Sequence, residues 1–360
     1  MEKTGMLKDL LEAPHGSLRF PVFMPDATFG FVRSLDSEDL ERCGVQALVM
    51  NVFHLMQHPG SSVIKALGGL HSLSGWSKPI VTDSGGFQAY SIIRSSPKMG
   101  RITSKGIIFH AGSSGRRMLL TPEKSIRLQL MYGSDIVICL DVCTHVDDPV
   151  EAQIDSVEKT VGWAERCRLE FDRIVSRKYS GNKRRPLLFA VIQGGGSRDL
   201  RRECAEALLE IGFDGFCYGG YPLDGEGNLL VDMLRYTRRL VPSEFPMIAL
   251  GVGHPKNIVR CLELGYMLFD SSLPTRDARQ GRLYTFKPEK VCSYIHIQDE
   301  KYIRSKEPVS QGCDCLTCRK YTLGYLHHLF RMKDPLYSRL ASIHNLRFII
   351  NLIGNVRMRR

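Results

Sequence analysis

The chain has 360 residues, 43% of them hydrophobic and 24% charged, which excludes a disordered or fibrous protein. No run reaches the ~20 apolar residues that a bilayer span needs. Lys and Arg number 49 against 38 Asp and Glu, and the resulting net charge of +11 suits a polyanionic partner.

In chain order, Met1–Leu11 mixes Glu2, Lys3, Lys8 and Asp9 with no apolar leader core, so a cytoplasmic protein is expected. Eight short apolar runs follow: Phe20–Met24, Ala47–Val52, Pro79–Thr82, Ile136–Leu140, Leu187–Ile192, Gly215–Tyr218, Pro246–Val252 and Tyr266–Phe269. Such runs read as strands buried on both faces. Helical patterns lie between most of them: Ser37–Cys43, a segment opened by Thr121-Pro-Glu123 and running to Tyr132, Pro149–Arg177, Ser197–Ile211 stopped by Gly212, and Pro255–Leu264 stopped by Gly265. Eight strands alternating with helices predict an α/β fold, a (β/α)8 TIM-type barrel with insertions, with a doubly wound open sheet as the rival. The rhythm breaks at 85–117, rich in Gly, Ser and basic residues, which reads as an inserted loop or hairpin. It breaks again from Cys313. The expected division is a catalytic barrel over 1–290, and a metal-bearing subdomain with the last barrel helix over 291–360.

Most of the eleven cysteines, such as Cys139 and Cys217, stand singly in apolar runs and read as small core residues. Cys313-Asp-Cys315-Leu-Thr-Cys318 differs, because three closely spaced thiolates in an intracellular chain suit Zn2+, which needs a fourth ligand. His327, His328 and His344 are the candidates. The first two fall early on a helix starting near Arg319; the third lies where a helical hairpin can fold back. A site closed by four protein ligands is structural. The basic runs Lys183-Arg184-Arg185 and Arg357 to Arg360 are either phosphate contacts or solvated loops.

Polar residues follow the apolar runs at a regular place: Asp83-Ser-Gly-Gly-Phe-Gln88, Asp141, Gln193-Gly-Gly-Gly196, Gly219-Gly220, Gly251-Val-Gly253 and Asp270. In a barrel these converge on one rim, where active sites sit. Each Asp alone is as readily a turn former. Together they make a carboxylate-rich pocket whose glycines let a flat ligand approach the backbone. Two carboxylates facing one sugar permit double displacement through a covalent intermediate, and a third with a carboxamide can read a purine-like edge.

The ordered set Asn51-Val-Phe-His-Leu-Met56, Asp83-Ser-Gly-Gly-Phe-Gln88, Leu119-Leu-Thr-Pro-Glu123, Val191-Ile-Gln-Gly-Gly195, Ile211-Gly-Phe-Asp-Gly215, Leu250-Gly-Val-Gly253, Leu273-Pro-Thr-Arg276, Cys313-Asp-Cys-Leu-Thr-Cys318, Tyr325-Leu-His-His-Leu329 and His344-Asn345 resembles the queuine/preQ1-type tRNA-guanine transglycosylase family, bacterial type. The resemblance implies a (β/α)8 barrel with a zinc subdomain, assembled as a homodimer. It implies exchange of the wobble guanine of GUN-anticodon tRNAs for a 7-deazaguanine base, queuine or preQ1. On its pattern Asp270 is the nucleophile and Asp83 the general acid/base. Asp141, Gln193 and Gly220 read the base, Phe87 and Leu250 sandwich it, Arg276 and Arg279 contact RNA, and Cys313, Cys315, Cys318 and His344 hold one structural Zn2+. No organic cofactor is implied.

The chain departs from the bacterial pattern in places. Val142 stands where Glu is usual, Ser271 where Cys is usual, and Tyr221-Pro-Leu-Asp-Gly-Glu226 is one residue longer than its counterpart, leaving Asp224 or Glu226 as its acidic residue. Loss of the carboxylate at Val142 weakens the case for a cationic substituent and favours queuine. The alternatives are a noncatalytic RNA-binding subunit on the same fold, against which both Asp83 and Asp270 argue, the archaeosine-forming branch, whose extra C-terminal domain is not expected here, and a zinc-dependent barrel hydrolase, against which the lack of histidines at the strand ends argues.

Overall fold

The computed structural model describes residues 9–111, 116–179, 184–287 and 289–357. Eight parallel strands, Val22–Pro25, Leu48–Asn51, Ile80–Asp83, Ile136–Ile138, Leu187–Ile192, Gly215–Tyr218, Met247–Ala249 and Leu268–Ser271, lie side by side in chain order. The eighth pairs with the first. The ring closes between first and second at the bridge Asp26↔Val49, beside the Ala27 N–H to Val49 carbonyl bond of 2.7 Å. This is the expected barrel, not the open sheet.

Period-two alternation divides each strand. Val22, Met24, Val49, Val81, Ile136, Ile138, Phe189, Val191, Cys217, Ile248 and Leu268 fill the barrel interior, with Leu18 and Phe20 below them. Their neighbours, among them Phe23, Met50, Ile80, Val137, Leu188, Ala190, Phe216, Met247 and Phe269, face the helices. Burial on both faces is why the runs are continuously apolar. The floor is tied by Asp135, whose Oδ1 accepts the His15 backbone N–H at 2.8 Å and whose Oδ2 accepts that of Ile80 at 2.9 Å.

The helices start where the caps predict. Thr121 accepts the Lys124 N–H ahead of Pro122–Tyr132, and Ser197 accepts that of Leu200 ahead of Arg198–Ile211. The 85–117 insertion is more structured than the expected loop or hairpin. It forms a helix, Gly86–Ser95, and a three-stranded antiparallel sheet of Gly100–Thr103, Gly106–Ala111 and Arg116–Leu120. Ile107, Phe109 and Leu120 are fully buried, with the Phe109 ring 4.6 Å from Phe53, so the sheet is anchored on the barrel.

The expected single helix from Arg319 is instead two, Leu316–Lys320 and Leu323–Arg331, because Tyr321 is extended and Thr322 caps a new start by accepting the Tyr325 N–H. The final helix, Pro335–Arg357, packs on the barrel. Tyr337 donates to the Ala278 carbonyl at 3.0 Å, and Arg339 makes a two-point pair with buried Asp39 at 2.7 and 2.8 Å. No helix is long and apolar enough to cross a membrane among the described residues.

Candidate active site

Extending the inward row by one step puts five polar residues, one glycine and one leucine above the interior apolar ones of seven strands. Asp26 follows Met24, Asn51 follows Val49, Asp83 follows Val81, Gln193 follows Val191, Gly219 follows Cys217, Leu250 follows Ile248 and Asp270 follows Leu268. Parallel strands present these ends at a single mouth, so the structure brings Asp83, Asp141, Gln193, Gly220, Leu250 and Asp270 together.

Asp83 accepts the Asn51 side-chain N–H at 2.7 Å. Burial pushes its carboxyl up, and hydrogen bonds from Gln88, Gly85, Ser84 and Asn51 oppose that. Asp141 is held up at about 7 by burial, against the hydrogen bond from Gln193 and reinforced by the charge of Asp83. Asp270 is likewise pushed up to about 7 by burial, opposed by the Gly251 backbone N–H at 3.1 Å and reinforced by Asp83 and Asp26. Asp141 is 8% exposed, and Asp83 and Asp270 keep more solvent contact through the mouth. Like charges thus share one cavity, and not all of them ionise together near neutral pH.

The wall beside Asp141 is built for a flat ligand. Gln193 donates to Asp141 at 2.7 Å and leaves its own buried Oε1 without a partner, an acceptor aimed at an incoming group. Gly220 sits at φ +81°, and a Cβ there would lie 3.6 Å from that Oε1. At Gly86 a Cβ would stand 2.7 Å from the Asp141 carbonyl oxygen, so a side chain would displace Asp141. Phe87, partly exposed, opens the helix beside this wall. Its ring lies 5.3 Å from Tyr221, which lies 5.1 Å from His145.

The departures have plain places. Val142 is buried in the outer core, and its N–H is held by the Thr160 hydroxyl at 3.1 Å. Asp224 accepts the N–H groups of Glu226 and Asn228, pinning its own exposed turn, and Glu226 is exposed beside it. The Ser271 hydroxyl accepts the Leu273 N–H at 3.1 Å.

Arg276 and Arg279 lie with Arg33, Thr28, Ser272 and Thr275 around a cavity of about 230 Å3 next to Asp26. Arg279 Nη1 is buried without a partner, and burial and the charges of Arg33 and Arg276 push its guanidinium down. An anion there would relieve three crowded cations. Of the basic run, Arg184 pairs with Glu12 and Arg185 with Asp214; Lys183 and the chain end 358–360 lie outside the described residues. Sequence reasoning missed Asn51, Asp26 and Arg33; the first two were findable by continuing the alternation of their strands.

The three thiols and His344 converge. His344 Nδ1 is 3.9, 3.6 and 3.2 Å from the Sγ atoms of Cys313, Cys315 and Cys318, and its Nε2 bonds the Tyr284 carbonyl at 2.6 Å. Three thiolates, one imidazole and a backbone carbonyl fixing the imidazole's other nitrogen form a possible metal site. His327 bonds the Ile297 carbonyl instead. The other eight cysteines are buried. His15, His71 and Asp135 also cluster, with the two imidazoles stacked 3.7 Å apart between centroids and each against one oxygen of the Asp135 carboxylate, at 2.9 and 3.2 Å.

Ring and mouth together define an enzyme of the (β/α)8 class with paired carboxylates at the C-terminal ends of its strands. A family model described as Queuine tRNA-ribosyltransferase matches residues 5–359. Relatives of that name are 36% identical over 99% of this chain and 90% of the Thermoanaerobacter pseudethanolicus protein, and 38% identical over 96% of this chain and 89% of the Francisella tularensis subsp. novicida protein. The Dictyoglomus turgidum protein is 36% identical over 99% of this chain and 88% of its own length. The chain belongs to the Queuine tRNA-ribosyltransferase family.

Proposed function

We propose that the chain exchanges the wobble guanine of GUN-anticodon tRNAs for a 7-deazaguanine base through a ribosyl ester on Asp270. The observation that carries this reading is that Asp83 and Asp270 meet at one mouth closely enough for the charge of one to raise the carboxyl of the other.

The target guanine leaves the anticodon stack, which costs a few kcal/mol. Phe87 and Leu250 sandwich it, and hydrogen bonds from the Gly220 N–H and to Gln193 Oε1 and Asp141 offset the loss. Asp270 Oδ attacks the anomeric carbon. The old C–N bond breaks with its electron pair going to guanine, which takes a proton from Asp83. The ester keeps the strand intact while guanine departs. Asp83 then removes the proton from the incoming base, whose nitrogen attacks the same carbon and releases the Asp270 carboxylate.

Arg276 and Arg279 hold RNA, and the surface charge draws it in. Cys313, Cys315, Cys318 and His344 hold Zn2+, which supplies folding energy rather than chemistry. The setting is cytoplasmic and the assembly a homodimer. Queuine is the natural base, since the substituent side offers the rings of Tyr221 and His145. Clear preference for preQ1 in a two-base competition would overturn that choice.

The test is uptake of labelled guanine into tRNA by the purified chain, with covalent trapping of RNA. Wild type takes up label and yields an adduct that maps to Asp270. Asp270→Asn binds tRNA with neither adduct nor exchange. Retained exchange in that variant overturns the nucleophile, and tRNA binding without exchange by wild type favours the noncatalytic subunit.

A further inference from the structure

Arg201 is fully buried in the first turn of the helix Arg198–Ile211. Its Nη1 donates to the Ile192 carbonyl at 2.8 Å and its Nε to that of Gly195 at 3.1 Å. The guanidinium lies over the Tyr218 ring at 4.2 Å. No carboxylate pairs with it, and its Nη2 has no hydrogen-bond partner, among the described residues. A Cβ on Gly220 would lie 3.7 Å from that Nη2 and 3.6 Å from Gln193 Oε1. The free N–H therefore stands directly behind the wall that carries Gly220 and Gln193.

A buried charge without a counter-ion costs several kcal/mol unless something of opposite sign compensates. Two carbonyls and a ring face compensate in part, and they would serve equally well to brace the turn. The charge reaches further. Cys143, in the loop beyond the fourth strand, is raised by burial and by Asp141 and lowered by Arg201, so both charges lie within electrostatic reach of one thiol.

We propose that Arg201 is a positioning residue whose fixed, unpaired positive charge behind Gly220 and Gln193 favours negative charge in the base pocket: ionised Asp141, and the electron pair that the departing base carries off. This rests on the exchange reaction proposed above. A charge held in place before reaction acts where water would have to reorient. It acts through the wall and touches no reacting atom.

The other titratable groups facing Arg201 do not respond near neutral pH. Cys204 on its own helix and Cys261 are raised to about 12 by burial, and Cys143, Tyr218 and Tyr266 are raised as well. Glu203 is exposed. Asp141, with Asp83 beside it, is left to answer a change in this charge.

The experiment measures guanine exchange against pH for the full-length chain as wild type, Arg201→Met, Arg201→Gln and Arg201→Lys, with thermal melting of each. The neutral variants should lose about 10- to 100-fold in kcat with KM for tRNA within about threefold, and their acid limb should move up by about half to one pH unit. Arg201→Lys should keep the wild-type limb. Neutral variants with the wild-type limb, or the same upward shift in Arg201→Lys, would overturn the proposal, as would failure of both neutral variants to fold, which makes the residue a brace. An inactive wild type would overturn the exchange reaction itself.

Discussion

A carboxylate that must ionise to work is penalised for being buried, and Asp141 shows the sign. Its folded value of about 7 stands above the ordinary 3.8, so the folded state keeps a proton that the unfolded chain has released. Stability from this group therefore falls as pH rises from about 4 to about 7 and stays lowered above that. Asp141→Asn should be indistinguishable from wild type near pH 4. By pH 8 it should be more stable, by on the order of 1–3 kcal/mol, in urea unfolding; equal stability at both pH values would refute the shift. Base binding should suffer in the same variant. Asp83, Asp141, Gln193 and Asp270 were legible because each ends an apolar run, and a polar residue there has no packing reason. Arg201 was not legible. It reads as one more charge on an amphipathic helix, and only the chain's path over Gly194–Gly196 buries it.

At the scale of elements, the eight strands could be read because burial on both faces keeps their interiors almost wholly apolar. The helix Val231–Leu240 was not assigned from sequence. Its buried face includes Thr237 and Arg238, and Arg238 hides its charge by donating to the carbonyls of Gly265, Val241 and Ser243. A buried arginine looks polar in sequence, so the apolar stripe seems broken. The insertion escaped for another reason: its strands are short, and packing on Phe53, a long-range contact, decides them. The turn from the third strand into Gly86–Ser95 is where an element meets function. Gly86→Ala should push back the Asp141 backbone, which leaves no room for a methyl, while Asp83, three residues earlier, keeps its partners. Base affinity should fall by about tenfold or more, while tRNA binding, measured by filter retention, stays near wild type. Unchanged base affinity would mean that the wall yields.

For the whole molecule, net charge was legible in sequence but its location was not. Arg184 and Arg185 are taken up by Glu12 and Asp214, whereas Arg33, Arg276 and Arg279 crowd a cavity beside the mouth. Binding of tRNA should weaken steeply with salt, and Arg276→Ala should lower the slope of log affinity against log salt by about 1; a flat profile would count against RNA there. The C-terminal region ties this surface to the barrel through one small cluster. His344 belongs to the final helix and anchors on the Tyr284 carbonyl, Arg347 of the same helix pairs with Asp314 between the first two thiols, and Arg339 holds Asp39. The same helix carries Asn345, which donates to the carbonyl of Pro274 in the first turn of the helix Leu273–Arg279, the one bearing Arg276 and Arg279. Metal at the thiols would therefore set the last helix, and through it the arginines, yet it lies apart from Asp83 and Asp270. Chelation or Cys318→Ser should lower the melting temperature and weaken tRNA binding, with loss of several kcal/mol of stability. Whatever fraction remains folded should still bind guanine, because the base wall is built from strand ends that the cluster does not touch. Guanine affinity lost in proportion to metal, with the fold intact by circular dichroism, would instead put the ion in the pocket and refute a structural role.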